Sequence, residues 1–204
     1  MNPLKSITGT LVAGVVLALI IAFLLGQSQN INSNPIEWTV WFHVIVGITW
    51  IGLLYYFNFV QVPAVAKALA DKEPGPAAIN KYVAPRALLW FRWAAVLTWL
   101  SGAAALFKMG ILVPAFTFEG FTFASSTSVI GMGAWLGTIM LFNVWVLIWP
   151  NQKKILGLDG KEHSADAIAK AKTVALMASR TNTMLSIPML LGMTGYAHGL
   201  PTPF

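Results

Sequence analysis

One histidine lies where solubility cannot explain it. His43 stands in the run Trp41-Phe42-His43-Val44-Ile45-Val46-Gly47-Ile48-Thr49-Trp50-Ile51-Gly52, the second of five apolar stretches of membrane length. An ionisable side chain at membrane depth is costly, so it marks a functional site and its partner must be sought. The chain contains no cysteine, which leaves haem iron as the metal an imidazole in oil most readily holds. The competing reading is an interhelical hydrogen bond to a backbone carbonyl, Ser, Thr or Asn. His198 is a second candidate ligand, set against a helix-end histidine that simply faces water.

Other polar residues fall at depth. Arg92 and Arg180 are read as holders of an anion, such as a haem propionate or an anionic substrate, or as cations snorkelling to headgroups. Asn58, Gln61, Asn143 and Asn182 gather near the same end of their runs and predict a polar site toward the cytoplasm. Gly47 lies one turn from His43, where a flat macrocycle needs a missing side chain, and Trp50 continues that stripe. Gly133 and Gly137 have small-xxx-small spacing, which admits another helix or a porphyrin.

The elements that position these residues follow from composition. Of 204 residues, 57% are hydrophobic and 10% charged, against about 25% charged in soluble domains. The runs 7–25, 38–64, 87–107, 129–149 and 174–197 are each long enough to cross about 30 Å of hydrocarbon. They lack barrel-like alternation, so the expected fold is an all-α, integral membrane bundle of five transmembrane helices in a single domain, 1–204. The run 7–25 is read as a retained helix, since Gly26-Gln27-Ser28 makes a poor cleavage site.

Charge orients the bundle. Lys5 precedes the first run; Lys67, Lys72, Lys81 and Arg86 separate the second and third; Lys153, Lys154, Lys161, Lys170 and Lys172 separate the fourth and fifth. The intervening segments 26–37 and 108–128 carry one lysine between them, Lys108. The positive-inside rule then places the N-terminus in the cytoplasm and the C-terminus outside. His43 comes to lie about 10 Å below the outer boundary, from roughly seven residues at about 1.5 Å each, and His198 emerges in the same half. Loop-clustered basic charge points to membrane lipid and argues against nucleic acid. Residues 164–173 are expected to form an amphipathic helix capped by Ser164 that runs into the fifth span. The aromatic alternation from Ile111 to Phe123 suggests a short hairpin or re-entrant lid, and 71–77 a plain turn. His163 is expected to be solvated.

Much chemistry is excluded. Without cysteine there is no disulfide, thiolate metal site, iron–sulfur cluster or covalent c-type haem. No nucleophilic triad, phosphate loop or paired-carboxylate site is present. All seven acidic residues lie in loops or at helix ends, which disfavours a proton-coupled transporter.

The block Trp41-Phe42-His43-Val44-Ile45-Val46-Gly47-Ile48-Thr49-Trp50-Ile51-Gly52-Leu53-Leu54-Tyr55-Tyr56-Phe57 resembles the His-bearing helix in the N-terminal membrane domain of the bacterial cytochrome c-linked urate oxidases (membrane urate hydroxylases). Phe142-Asn143-Val144-Trp145-Val146-Leu147-Ile148-Trp149-Pro150-Asn151-Gln152-Lys153 and Ser179-Arg180-Thr181-Asn182-Thr183-Met184-Leu185-Ser186-Ile187-Pro188-Met189 are similar to later blocks of that domain. The likeness spans roughly residues 36–198. The small haem-binding membrane oxidases of porphyrin synthesis are a more distant likeness. The urate oxidases end in a c-type cytochrome domain, whose CxxCH these 204 residues lack. The electron acceptor is therefore expected to be a separate extracytoplasmic cytochrome c or a larger membrane complex.

These readings converge on a redox protein of the bacterial inner membrane. It would carry haem b near the outer leaflet on His43 and His198, and exchange electrons with an extracytoplasmic carrier. The alternatives are a non-catalytic structural subunit of a membrane complex and a urate-oxidising enzyme coupled to a separate cytochrome.

Overall fold

The computed structural model describes residues 2–29, 34–121 and 125–201. Every regular element among them is helical. The chain divides into two compact units, residues 1–37 and 38–204. The first unit holds a short 3-10 turn, Pro3–Lys5, capped by the Asn2 side chain, and the helix α1, Ile7–Gln29. Leu17, Ile20 and Phe23 of α1 are exposed.

In the second unit, α2 (Pro35–Tyr56, which begins at the end of the first) runs through a π turn, Phe57–Gln61, into α3, Val62–Asp71. A second π turn, Ile79–Val83, leads into α4, Ala84–Lys108. There follow α5 (Leu112–Phe121) and α6 (Ser126–Phe142), then a third π turn (Asn143–Ile148) with α7 (Trp149–Ile155), and finally α8, Ala165–His198. Each π turn precedes a helix that has proline in its first turn, namely Pro63, Pro85 and Pro150. A proline ring clashes with the carbonyl four residues back and offers no N–H. Those four-back residues are Phe59, Lys81 and Val146, and each lies inside a π turn. Widening the turn by one residue makes room for the ring without breaking the helix.

Among the described residues, four helical runs are long and apolar enough to cross a membrane: Ile7–Gln27, Pro35–Asp71, Ile79–Lys108 and Ser126–Ile155. The chain is a multi-pass membrane protein. The fifth apolar run lies within α8, whose N-terminal half also carries Lys170, Lys172 and Arg180. Ser164 caps α8, its hydroxyl accepting from Ala167 N at 3.2 Å. The helix continues through Pro188. Two boundaries differ from those expected. Most of 65–86 is helical, because the Ala-rich stretch after Pro63 favours helix and Lys67 pairs with Asp71 one turn on, at 3.3 Å. The aromatic segment after Ile111 is no hairpin either. It forms α5, which turns sharply at Phe118, Glu119 and Gly120, all at positive φ; Thr122 and Phe123 lie outside the described residues.

The core is a seam of Trp50, Leu54, Phe91, Met140, Val144 and Met189 from α2, α4, α6 and its π turn, and α8. Close backbone approach joins α6 to α8. A Cβ on Gly192 would stand 2.7 Å from Gly133 N and 2.8 Å from Val129 O. In the same N-terminal half of α6, Gly131 lies against the Ala115 carbonyl of α5, and Trp135 Nε1 donates to Phe116 O at 2.9 Å. The outward faces are apolar, with Trp90 and Leu100 on α4 and Met184 and Ile187 on α8 exposed. That pattern suits a lipid surround.

Candidate functional site

His43 sits in the third turn of α2, half-buried against α4. Its Nδ1 lies 2.8 Å from the Thr98 carbonyl oxygen and 3.2 Å from Ser101 Oγ. A carbonyl has no hydrogen to give, so Nδ1 carries the proton and donates. Ser101 Oγ in turn donates to the Leu97 carbonyl at 2.6 Å, leaving its lone pairs toward the imidazole. The proton on Nδ1 places the ring's lone pair on Nε2, the tautomer that ligates metal when the other nitrogen is tied to a backbone carbonyl. Gly102 makes the approach possible. A Cβ there would stand 2.9 Å from His43 Cε1 and 3.2 Å from Nδ1.

The other residues expected around His43 are placed differently. The space at Gly47 is occupied by Thr98 of α4, whose Cγ2 would lie 3.7 Å from a Cβ at Gly47, so helix packing fills that slot. Trp50 is core, 2% exposed, and its Nε1 is buried without a partner among the described residues. Gly133 is taken by the contact with α8, while Gly137 faces open space. His198 is the exposed last residue of α8, and no hydrogen bond among the described residues joins it to His43. No cluster of three or more His, Asp or Glu residues suited to a metal occurs among the described residues.

The polar residues toward the basic loops do converge, onto α8. Asn58 Nδ2 donates to Ser179 Oγ at 2.8 Å and to Leu54 O at 2.9 Å. One turn along α8, Asn182 Oδ1 accepts from Asn143 Nδ2 at 2.8 Å, while its Nδ2 donates to Met140 O at 2.9 Å. Asn151 Nδ2 donates to Leu147 O at 2.7 Å. Each recipient carbonyl lies in or beside a π turn, where the backbone ladder changes register. Backbone groups in lipid must find partners within the protein. These amides therefore supply donors where the wide turns disturb the ladder. Asn58 Oδ1 and Gln61 Oε1 are buried without partners among the described residues. Tyr55 OH and Ser186 Oγ, 2.9 Å apart, complete the seam with α8.

The arginines stay outside this cluster. Arg180 is exposed. The Arg92 guanidinium lies over the Trp149 ring, its Cζ 3.7 Å from the ring centroid. In the α7–α8 loop, His163 is not simply solvated: its Nε2 is 2.8 Å from Asp159 Oδ2. This hydrogen bond holds the Asp159 carboxyl below its ordinary range.

Sequence reasoning missed the partners Thr98, Ser101, Gly102 and Ser179. The Thr98-xxx-Gly102 spacing on α4 is the small-residue signal that marks where α2 approaches. No curated protein and no solved structure matches the chain. Residues 104–200, which hold α5 to α8 and the Asn143–Asn182 pair but not His43, match the family model described as urate oxidase, N-terminal, and are similar to that domain.

Proposed function

We propose that this chain is the membrane module of a redox system of the bacterial inner membrane, in which His43 Nε2 would hold a b-type haem. The observation behind the reading is the Nδ1 hydrogen bond to the Thr98 carbonyl. It fixes the tautomer, orients the ring and leaves Nε2 as the ligating atom. His43 would be the residue that holds the haem, and the reading requires no second histidine from this chain. When bound, the haem would supply one-electron chemistry, its potential tuned by axial ligation and burial. The protein's own part is to hold the imidazole, through Thr98, Ser101 and the gap at Gly102, and to keep the surroundings apolar.

In this reading α8 is the fifth span, the N-terminus is cytoplasmic, and His43 faces the outer leaflet. Electrons then pass to an extracytoplasmic cytochrome c or a partner subunit. The family match favours urate as the electron source, oxidised by the assembly of which this module is part. A pyridine haemochrome assay and a reduced-minus-oxidised spectrum of the purified protein test the proposal. The expected result is a b-type α-band that disappears in a folded His43→Ala variant and persists in His198→Ala. No haem in the wild type, or equal haem in His43→Ala, refutes it.

A second reading has its own observation. The Nδ1 bonds help tie α2 to α4, as a non-catalytic structural subunit requires. Stoichiometric co-purification with partner proteins and no cofactor would favour that role.

A further inference from the structure

A shallow groove of about 380 Å³ runs between α4 and α6, lined by Val96, Trp99, Thr138, Leu141, Phe142 and Trp145. Its surface is apolar. The polar atoms of Trp99 and Thr138 are spent on each other, Nε1 donating to Oγ1 at 2.8 Å, and close one end. At the other end, one turn from Val96 brings α4 to Arg92, and one turn from Trp145 reaches Trp149. There the Arg92 guanidinium lies on the Trp149 ring at 3.7 Å, and Lys153 Nζ lies 5.7 Å from the same ring centroid. Both cations are half-buried. Neither makes a hydrogen bond or ion pair with a protein group among the described residues. The ring contact spends none of the five guanidinium N–H donors on a protein acceptor among the described residues.

We propose that this is a binding site for one anionic phospholipid, its phosphate held by Arg92 and Lys153 and an acyl chain lying in the groove. Charge complementarity selects this occupant. Two cations without an acidic partner stand at the end of an apolar channel, on the side of the basic loops, where headgroup phosphates lie. A zwitterionic lipid fills the groove equally well but brings its own cation to Arg92 and Lys153. The planar, stacked guanidinium suits bidentate contact with phosphate oxygens, and Lys153 adds a point charge. Trp149 is then the platform that holds Arg92 in place for the phosphate.

The experiment uses the full chain in a neutral detergent. It is titrated with mixed micelles of dioleoylphosphatidylglycerol or dioleoylphosphatidylcholine, with native mass spectrometry counting bound lipid. The expected result is one saturable phosphatidylglycerol adduct and no retained phosphatidylcholine. Arg92→Gln and Lys153→Gln should each weaken binding about fivefold, the factor for one basic charge near a headgroup surface. Lys161→Gln, in the next loop, should change nothing. Lys153→Gln alters a cation in the last turn of α7 and keeps the test open if Arg92→Gln does not fold. Equal weakening by Lys161→Gln means diffuse surface attraction and overturns the site. Equal retention of phosphatidylcholine means an apolar groove without phosphate recognition and also overturns it. Displacement of the lipid by millimolar inorganic phosphate reassigns the pair of cations to a free anion.

Discussion

Replacing Asn182 with leucine tests how the bundle is held where α8 meets the third π turn. The side chain is fully buried, 0% exposed, and makes two bonds: its Oδ1 accepts from Asn143 Nδ2, and its Nδ2 donates to Met140 O. Leucine has similar volume, so the cavity term is small. What is lost is polar satisfaction, because the Asn143 amide and the Met140 carbonyl keep their demand and no water reaches them. Side-chain hydrogen bonds between membrane helices average about 0.6 kcal/mol and reach about 1.7 kcal/mol. Two of them at a dry site put the loss at about 1–3 kcal/mol. The assay is reversible unfolding in mixed micelles with a denaturing detergent, followed by far-ultraviolet circular dichroism. A cycle with Asn143→Leu isolates the amide–amide pair. The expected coupling is about 0.6–1.7 kcal/mol, with the double variant less destabilised than the sum of the singles. If Asn182→Leu stays within about 0.3 kcal/mol of wild type, or the cycle closes to zero, the amides do not support the wide turn and the reasoning fails.

Further expectations follow from other contacts. Gly102→Ala places a methyl 2.9 Å from His43 Cε1; it should displace the ring and shift the imidazole Nδ1–H resonance in nitrogen-15 spectra, with a loss of about 1–3 kcal/mol from overpacking. Gly192→Ala meets backbone atoms at 2.7 and 2.8 Å, whereas a Cβ on Gly137 meets nothing within 4 Å, so thermal unfolding should show a large loss for the first and little change for the second. Because His163 holds Asp159 below the ordinary carboxylate range, the contribution of this pair is complete above that range and fades as pH falls through the depressed value. Asp159→Asn should therefore flatten the acid limb of a stability–pH profile and leave its alkaline limb in place.

The helical, membrane-spanning character was legible because apolar runs of this length have no other stable form in lipid. The ends of the helices were not. Hydropathy marks the thickness of oil, while α3 continues past it to Asp71 on an Ala-rich stretch and a Lys67–Asp71 pair. The aromatics after Ile111 alternate as a strand would, yet the segment packs as α5 against Gly131, a tertiary contact that no local period encodes. His43 stood out by its cost in oil. Its acceptor did not, because a main-chain carbonyl such as that of Thr98 leaves no mark in residue type. Carrying the stripe of His43, Gly47 and Trp50 on to Gln61 would need 3.6 residues per turn throughout, which the π turn at Phe57–Gln61 does not keep. Arg92 and Arg180 looked alike in sequence; stacking on Trp149 separates them.

The pairing of a wide turn with a proline also constrains how such chains change length. Removing a residue from an ordinary helix rotates everything beyond it by about 100° and tears its packed face from its neighbours. Removing the surplus residue at 57–61, 79–83 or 143–148 returns the helix to regular winding and leaves both flanking faces aimed as before, provided the proline that follows is also replaced. Among diverging descendants of this sequence, single-residue gaps are therefore expected to fall at these three places, and each to coincide with the disappearance of Pro63, Pro85 or Pro150.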